Sequence, residues 1–305
     1  MIRKHTRRAA KAAFAISLGV AIVLGGTAAA ASAKPQAKPT VTVGNKNFTE
    51  EYILGQLYGQ ALAAKGFHVK YAGSLGSSEL ADTAIKSGKI DLLPEYTGVV
   101  VSDIAHKSPA KTATAVYAQA KAFEETRGLT MLKATPFYDT DTVTVLKSTA
   151  TKYGLKSIGD LKKVKSFSYA GFPECQTRIT CLLGLKNIYG LKQVKFVPLS
   201  NISVYTLLDD GKATGGDGFS TDPQQATGKY VALADTKHIF GFQNVAPIVS
   251  QKLLTAGGAD LSSTVNAVSS KLTLAAMQAM NKAVAVDKKT PAAVASAFLK
   301  ANGLK

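Results

Sequence analysis

Residues 41–66 read VTVGNKNFTEEYILGQLYGQALAAKG, and this stretch sets the fold. The alternating apolar run at 41–44 predicts a short strand, and residues 48–65 predict a helix. Apolar side chains recur in that helix near a 3.6-residue period, and Gly66 stands where a glycine commonly ends a helix. A strand followed at once by an amphipathic helix is the beginning of a strand–helix–strand unit.

The same alternation continues along the chain. Further strands are predicted in the runs HVKYAGSLG, KIDLLPEYTG, TVTVLKS, FSYAG, VKFVPL, GGDGF, YVALAD and PIVSQKLL. Further helices are predicted at 78–86, from 158 onward, and at 182–189, 204–210, 261–270, 272–286 and 291–300. Repeated strand–helix–strand units predict the α/β class with a parallel or mixed sheet. The length after the N-terminal segment, about 270 residues, suits one large or two medium domains.

Residues 1–33 have the pattern of a secretory signal peptide. A basic start precedes an uncharged, mostly apolar run at 12–25, and the sequence ASA at 31–33 offers a cleavage site. A membrane anchor is the alternative, but the run is shorter than a bilayer requires. We therefore expect a chain that is exported across the cytoplasmic membrane and begins with a disordered leader at 34–39. No lipobox cysteine follows the apolar run, so we predict no lipid attachment.

The chain is strongly basic, with 37 Lys and Arg against 20 Asp and Glu and a formal net charge of +17. Removing the five basic residues of the signal leaves 32 against 20, or +12. The lysines are scattered and form no basic helix with interleaved aromatics, which would be typical of nucleic-acid binding. We therefore interpret the charge as a solvated basic surface and predict no nucleic-acid partner.

Cys175 and Cys181 are the only cysteines of the sequence. In an exported chain, two cysteines this close predict a disulfide that closes a small loop. The four histidines form no ligand cluster, so we predict no metal and no cofactor. The sequence has no G-x-S-x-G, H-E-x-x-H or P-loop motif, and no spacing singles out a catalytic triad. We therefore predict that the protein is not an enzyme.

The polar start of the first helix has two interpretations. Asn47 and Glu50 have the spacing of a capping box, with asparagine in place of serine. A helix N-terminus also offers free N–H groups and the positive end of the helix dipole, which suit a carboxylate. Lys46 and Thr49 would add a charge and a hydroxyl to such an anion site. From these residues alone, a simple cap and a ligand site both stay open.

Several short segments carry a family resemblance. KNFTEEYILGQL begins at residue 46, and GKIDLLPEYTG runs from 88 to 98. PECQTRITCLLGLKNIYGL, FSTD and QNVAPIV follow in the second half of the chain. In this order and spacing they resemble the substrate-binding proteins of ABC importers for glycine betaine, choline and related quaternary amines. The resemblance covers about residues 40–300.

The resemblance implies an α/β fold of the type II periplasmic-binding-protein kind, with two lobes that are each a mixed sheet flanked by helices. Lobe 1 would hold residues 40–138 and 246–305, and lobe 2 residues 139–245. Two crossing strands near 139–142 and 243–247 would form the hinge, and the ligand would bind in the cleft between the lobes. The expected protein is a monomer that delivers its ligand to an ABC permease and its ATPase.

A quaternary amine calls for aromatic walls, because a trimethylammonium group has no N–H to donate and spreads its charge over methyl groups. By the resemblance, Tyr96 of PEYTG and Phe219 of FSTD occupy positions of the aromatic cage. Tyr138, near the first hinge strand, is a third candidate, with Asp139 or Asp141 as the residue that faces the cleft instead.

Polar side chains complete the predicted site. Gln243 stands at another aromatic position of the family, and Ser78 stands where relatives have an amide or an acid. Arg178, inside the cysteine loop, either clamps a ligand carboxylate with two hydrogen bonds or lies on the surface. The remaining candidates are Lys46, Asn47, Thr49 and Thr221. The departures from the family pattern leave an alternative open, the same fold binding another small solute such as an amino acid or a different zwitterion.

Overall fold

A computed structural model describes residues 37–200 and 202–305. The predicted signal peptide lies outside these residues, and so does the leader except for 37–39. The strands of the described part are β1 Thr40–Asn45, β2 His68–Ser74, β3 Leu92–Tyr96, β4 Leu129–Met131, β5 Asp141–Leu146, β6 Phe167–Gly171, β7 Val194–Pro198, β8 Gly215–Phe219, β9 Tyr230–Leu233 and β10 Val245–Ser250.

Helices alternate with these strands. They are α1 Thr49–Ala64, α2 Ser78–Lys86, α3 Thr97–Val99, α4 Ala113–Glu125, α5 Lys147–Tyr153, α6 Leu182–Asn187, α7 Val204–Asp209, α8 Gln251–Lys271, α9 Leu274–Ala285 and α10 Pro291–Ala301. A π-helical turn at Val100–Ile104 continues α3, and 3₁₀ turns lie at Ile158–Lys163, Pro173–Thr177 and Pro223–Thr227. Within the described residues, no helix combines the length and the apolar character needed to cross a membrane.

The strands form two five-stranded mixed sheets, in the orders β2-β1-β3-β10-β4 and β7-β6-β8-β5-β9. In the first sheet, β1 is parallel to β2 and β3, and β10 runs antiparallel between β3 and β4. In the second, β6 is parallel to β7 and β8, and β5 runs antiparallel between β8 and β9. The predicted α/β class with mixed sheets is confirmed.

Each sheet has its own hydrophobic core and the helices that cover it, which makes two lobes. In lobe 1, the apolar face of α1 packs against β1 and against α8, α9 and α10. Ile53, Leu57 and Leu62 of that face are fully buried, as the helical spacing predicts. In lobe 2, Phe167 and Tyr169 of β6 are fully buried in a separate cluster.

The chain crosses between the lobes twice, and the two crossings pair. Tyr138 and Asn244 form an isolated antiparallel bridge, and the Asp139 N–H donates to the Gln243 carbonyl (3.0 Å). The Asn244 side-chain amide donates to the Phe137 carbonyl (3.0 Å), which fixes one crossing against the other. The two-strand hinge of the predicted fold is therefore present. The residue limits assigned to the lobes stay a prediction.

Some element predictions were wrong in detail. The run PIVSQKLL is a strand only to Ser250, whose hydroxyl accepts the Leu253 N–H (3.0 Å) and caps α8. The helix predicted from Ile158 is a single 3₁₀ turn. Helix α4 was missed, although Thr112 caps its N-terminus by accepting the Ala115 N–H (3.3 Å).

Candidate functional site

A cavity lies between the two lobes, at the carboxyl ends of several strands. Lobe 1 lines it with the turn from β1 to α1, the start of α2 and the end of β3. Lobe 2 lines it with the start of β5, the end of β8 and the loop after β6. Crevices at the carboxyl ends of strands are the usual ligand positions in α/β sheets, so this cavity is the candidate site.

Four aromatic rings form one wall of the cavity, two from each lobe. Phe48 stacks on Tyr96 with ring centroids 6.2 Å apart and an interplanar angle of 17°. Phe48 also stacks on Phe219 of the other lobe at 5.7 Å and 8°. Phe172 lies tilted against Phe219 at 6.5 Å. The row therefore continues across the cleft and offers ring faces and edges to a cation or an alkyl group.

A buried hydrogen-bond network holds the Tyr96 side chain in place. Its hydroxyl donates to Glu50 Oε1 (2.9 Å), and the Asn281 side-chain amide donates to Glu50 Oε2 (3.0 Å). Asn281 also donates to the Thr221 carbonyl of lobe 2 (3.2 Å). Burial raises the pKa of Glu50 above its usual range. The network fixes the Tyr96 ring at the end of β3 and joins it to both lobes.

Lys46 is buried, with only 2% of its surface exposed, and its charge is already balanced. Its ammonium pairs with Glu95 and lies 3.4 Å from Glu51 Oε1. The same Nζ lies 4.1 Å from the centroid of the Tyr96 ring, a cation–π contact within the protein. Burial raises the pKa of Glu51 to about 8. The side chain predicted to meet a ligand anion is thus committed to two glutamates and an aromatic face.

The start of α1 does not form the capping box that was one of its two interpretations. Phe48, not Asn47, is the residue before the first helical turn, and no side chain caps this end. Glu50 cannot serve as the reciprocal partner, because its carboxylate is engaged by Tyr96 and Asn281. The polar start of the helix therefore positions the aromatic wall and does not form a cap.

Three aspartates lie together at the lobe 2 wall. Strand register places Asp141 opposite Phe219 and Val143 opposite Asp217, so these side chains share one face of the β5–β8 pair. Asp139 precedes β5 and also lines the cavity. Burial raises the pKa of Asp141 to about 7 and the pKa of Asp217 well above its usual range. The wall is therefore rich in carboxyl groups whose ionised form would be stabilised by a nearby positive charge.

Arg178 joins the lobes across the cavity. Its Nη2 donates to Glu79 Oε1 of α2 (2.8 Å), and its Nε lies 3.8 Å from Asp103 Oδ2. The Thr180 hydroxyl donates to the same Asp103 carboxylate (3.2 Å). These contacts link the loop after β6 to two elements of lobe 1. The sequence left two interpretations of Arg178 open, a clamp for a ligand carboxylate and a surface residue. In the structure its main partners are carboxylates of the protein itself.

The predicted disulfide is confirmed, since Cys175 and Cys181 are bonded. Both half-cystines are buried and line the cavity, and their loop carries Arg178 and Thr180. With Asp217 they are the single group of potential metal ligands among the described residues. Sulfur in a disulfide carries no thiolate to bind a metal. The group therefore shapes the wall and holds no metal.

Gln243 was predicted at an aromatic position of the cage. Its side chain lines the cavity, but its amide is hydrogen-bonded to backbone groups. Its Oε1 accepts the Val99 N–H (3.0 Å), and its Nε2 donates to the Phe240 carbonyl (3.1 Å). The amide packs tightly on Gly98, where an added Cβ would lie 2.6 Å from Gln243 Oε1. This contact explains the glycine of PEYTG.

The cavity gathers eight of the eleven predicted site residues, namely Lys46, Asn47, Ser78, Tyr96, Asp141, Arg178, Phe219 and Gln243. Thr49, Tyr138 and Thr221 are not among its lining residues. Tyr138 is 52% exposed and faces a separate groove beside the hinge. Thr221 is buried, and its N–H donates to Asp139 Oδ1 (3.2 Å), so it holds an acid of the wall. Ligand contact by the eight lining residues stays a prediction.

Several lining residues were not predicted from the sequence. They are Phe48, Ser77, Val99, Asp103, Phe172, Glu174, Thr180 and Asp217, while Asp139 was named only as an alternative to Tyr138. Alternation in the strand GGDGF gave a usable signal for Asp217, since residues two apart share a face and Phe219 was already a candidate. Phe48 also stood inside the first motif of the resemblance.

Comparisons with known proteins agree on one family. Residues 39–301 match the family described as the substrate-binding domain of ABC-type glycine betaine transport systems. A glycine-betaine-binding protein of Pseudomonas aeruginosa is 30% identical over 277 residues, 87% of this chain and 88% of the relative. The carnitine transport binding protein OpuCC of Listeria monocytogenes is 26% identical over 273 residues, 87% of each chain.

A solved structure described as a glycine betaine/carnitine/choline ABC transporter has a similar fold. It superposes with a TM-score of 0.70 at 24% sequence identity, over 87% of this chain and 99% of that one. At this identity the likeness concerns the fold.

Proposed function

The chain belongs to the family of substrate-binding domains of ABC-type glycine betaine transport systems, and from this premise we propose that its inter-lobe cavity captures a quaternary amine. The fold is that of the type II periplasmic binding proteins, and the family binds solutes rather than catalysing reactions. The chain therefore works as a binding protein of an ABC importer and is not an enzyme.

One observation carries the proposal, the aromatic wall built from both lobes. Phe48 and Tyr96 come from lobe 1, and Phe172 and Phe219 come from lobe 2. An alkylated ammonium makes apolar contact with such rings and is attracted by their negative faces, at about 0.5–2 kcal/mol per good contact. Because the rings come from both lobes, a bound cation would favour the closed arrangement of the lobes.

The partners follow from the family. Members act outside the cytoplasm, which suits the predicted signal peptide at 1–33 and the disulfide between Cys175 and Cys181. We propose that the protein works as a monomer and delivers its ligand to a membrane permease driven by an ATPase. The absence of a lipobox cysteine in the sequence supports a protein that diffuses in the envelope instead of being lipid-anchored.

A thermal-shift panel with calorimetric confirmation tests the proposal. The purified protein is titrated at fixed salt with glycine betaine, choline, carnitine and proline betaine, and with amino acids as controls. A ligand at about 100 times its dissociation constant should stabilise the protein by about 2.7 kcal/mol. The sequence contains no tryptophan, so tryptophan quenching cannot follow binding.

Two matched variants locate the binding site. Tyr96→Ala removes a ring of the wall and should lower the affinity for the quaternary amine at least tenfold. Tyr138→Ala removes an exposed ring outside the cavity and should leave the affinity unchanged. Stabilisation by amino acids alone, with none from a quaternary amine, would refute the proposed ligand and leave the fold assignment intact.

A further inference from the structure

We infer that the cavity selects a ligand of net positive charge with a hydrogen-bond donor at its second end, and that it discriminates against ligands with a carboxylate. The class is an alkylated ammonium ion that also carries a hydroxyl or N–H group. The inference rests on the proposed function of the same cavity and deepens it. It departs from the zwitterionic betaine in the family's description.

The cationic side chains of the cavity are already paired. Lys46 and Arg178 are the only Lys or Arg among the described lining residues. Lys46 is balanced by Glu95 and by Glu51, at 3.4 Å. Arg178 is balanced by two carboxylates of lobe 1, one of them bonded at 2.8 Å. A ligand carboxylate entering this cavity would therefore meet no side-chain cation whose charge is free.

The lobe 2 carboxylates that line the cavity differ from these paired cations. Each has at least one oxygen atom that accepts no hydrogen bond from an N–H or O–H group of the described residues. Asp139 accepts through Oδ1 from Ser220 Oγ and the Thr221 N–H (both 3.2 Å), while its Oδ2 receives no hydrogen bond from the described residues. Asp217 accepts through Oδ1 from the Tyr169 hydroxyl (2.9 Å).

The second oxygen of Asp217 faces sulfur and not a donor. Oδ2 lies 3.6 Å from the Cys181 Sγ, which is part of a disulfide and carries no hydrogen. Asp141 receives no hydrogen bond from any other described residue. Asp139 and Asp217 are only 4% and 5% exposed, and all three acids line the cavity. Carboxyl oxygens without a donor in such a wall would be stabilised by a ligand that supplies a hydrogen-bond donor or a positive charge.

The ionisable side chains of the cavity favour the same ligand class. Five carboxyl groups line the cavity, from Asp103, Asp139, Asp141, Glu174 and Asp217, against two cationic side chains. Burial, together with neighbouring acids, raises the pKa of Asp139 well above its usual range. A cation that enters would favour the ionised carboxylates, and the aromatic rings contributed by both lobes would cover its alkyl groups. Charge and hydrogen bonding thus favour one ligand class.

Choline and glycine betaine are the decisive probes, because both carry a trimethylammonium group and differ in a hydroxymethyl group against a carboxylate. Isothermal titration calorimetry of the purified protein at pH 7.5 should give choline at least tenfold tighter binding. Titrations in two buffers of different ionisation enthalpy should show proton release with choline, and its affinity should rise between pH 6 and 8. The groups facing Asp141 that shape this dependence are Arg178, Lys46, Asp103, Asp139 and Asp217.

Conservative variants test the aspartates directly. Asp217→Asn and Asp141→Asn should each lower the affinity for choline at least tenfold, and should leave the affinity for glycine betaine equal or higher. Asp287→Asn, on an exposed acid far in sequence from the wall, serves as the matched control and should change neither affinity. Circular dichroism confirms folding, and the two wall variants are independent should one fail to fold.

The outcomes separate the two proposals. If glycine betaine binds as tightly as choline, or binds more tightly as the pH falls, protonated acids of the wall donate to its carboxylate. That result would overturn the inference and keep the proposed function. Putrescine has N–H groups but no quaternary ammonium. If it binds and neither choline nor glycine betaine does, the result would support selection for positive charge and overturn the proposed function. No binding of putrescine or of any quaternary amine in the thermal-shift panel would overturn both proposals.

Discussion

Replacing Lys46 by methionine should cost the protein about 3–5 kcal/mol of unfolding free energy at pH 8, since it removes one partner of a buried ion-pair cluster. The side chains of Lys46, Glu51 and Glu95 are 3%, 0% and 2% exposed, so water cannot replace the lost ammonium. Methionine keeps the apolar stem and removes only the charge and its donors. Two carboxyl groups would then be buried side by side with no counter-charge.

The loss should be smaller in acid. Burial raises the pKa of Glu51 to about 8, so at pH 5.5 this carboxyl already holds a proton and needs no counter-ion. At the lower pH the loss of the Lys46 ammonium therefore leaves less buried negative charge without a partner. We expect the destabilisation at pH 5.5 to be smaller than at pH 8 by about 1 kcal/mol or more.

Urea unfolding followed by far-ultraviolet circular dichroism at both pH values measures this effect. The thermal midpoint should fall in parallel at pH 8, by about 2–4 °C per kcal/mol for a protein of this size. Lys282→Met is the matched control, because Lys282 pairs with Asp287 at the surface, with side chains 56% and 38% exposed. Its cost should stay below about 1 kcal/mol. A Lys46→Met effect no larger than the control at either pH would refute the buried cluster.

Three further predictions concern stability. Burial raises the pKa of Glu124 from 4.5 to about 7, so the folded protein keeps a proton that the unfolded chain releases and stability falls as pH rises through this range. Glu124→Gln should remove this residue's share of the slope, measured as a smaller difference in thermal midpoint between pH 5 and pH 8; an unchanged slope contradicts it. Gly98→Ala should cost about 1–3 kcal/mol, because its Cβ would meet Gln243 Oε1 at 2.6 Å, and an unchanged urea midpoint would show that the amide moves freely. Reducing the disulfide should cost about 2 kcal/mol, whereas a Cys175→Ser, Cys181→Ser double variant should not respond to reductant.

Local pattern was sufficient for the fold class, whereas the two-lobed arrangement was expected from the family resemblance. Helical spacing in 48–65 identified the buried face of α1, and the alternation of strands and helices identified the α/β class. The pattern failed where a polar side chain decided a boundary. Ser250 ends β10 and caps α8 within one apolar run. The strand predicted over PIVSQKLL was therefore too long.

The site was less predictable, because its contacts join distant segments. Lys46 was expected to meet a ligand, yet its partner Glu95 is 49 residues away and no local pattern shows that they pair. Arg178 reaches Glu79 over 99 residues, across the boundary between the lobes. Phe48 was identified only as the start of a helix. Which ring faces the cavity depends on the sheet register, as with Asp217 and Phe219.

The disulfide ties completion of the cavity to the compartment in which the chain folds. Arg178 and Thr180 stand in the loop that Cys175 and Cys181 close, and the bond itself lies beside Asp217. Thiols remain reduced in the cytosol and oxidise in extracytoplasmic spaces. In a reducing compartment this loop would lose its covalent closure, and Arg178 and Thr180 would be held only by their contacts with Glu79 and Asp103.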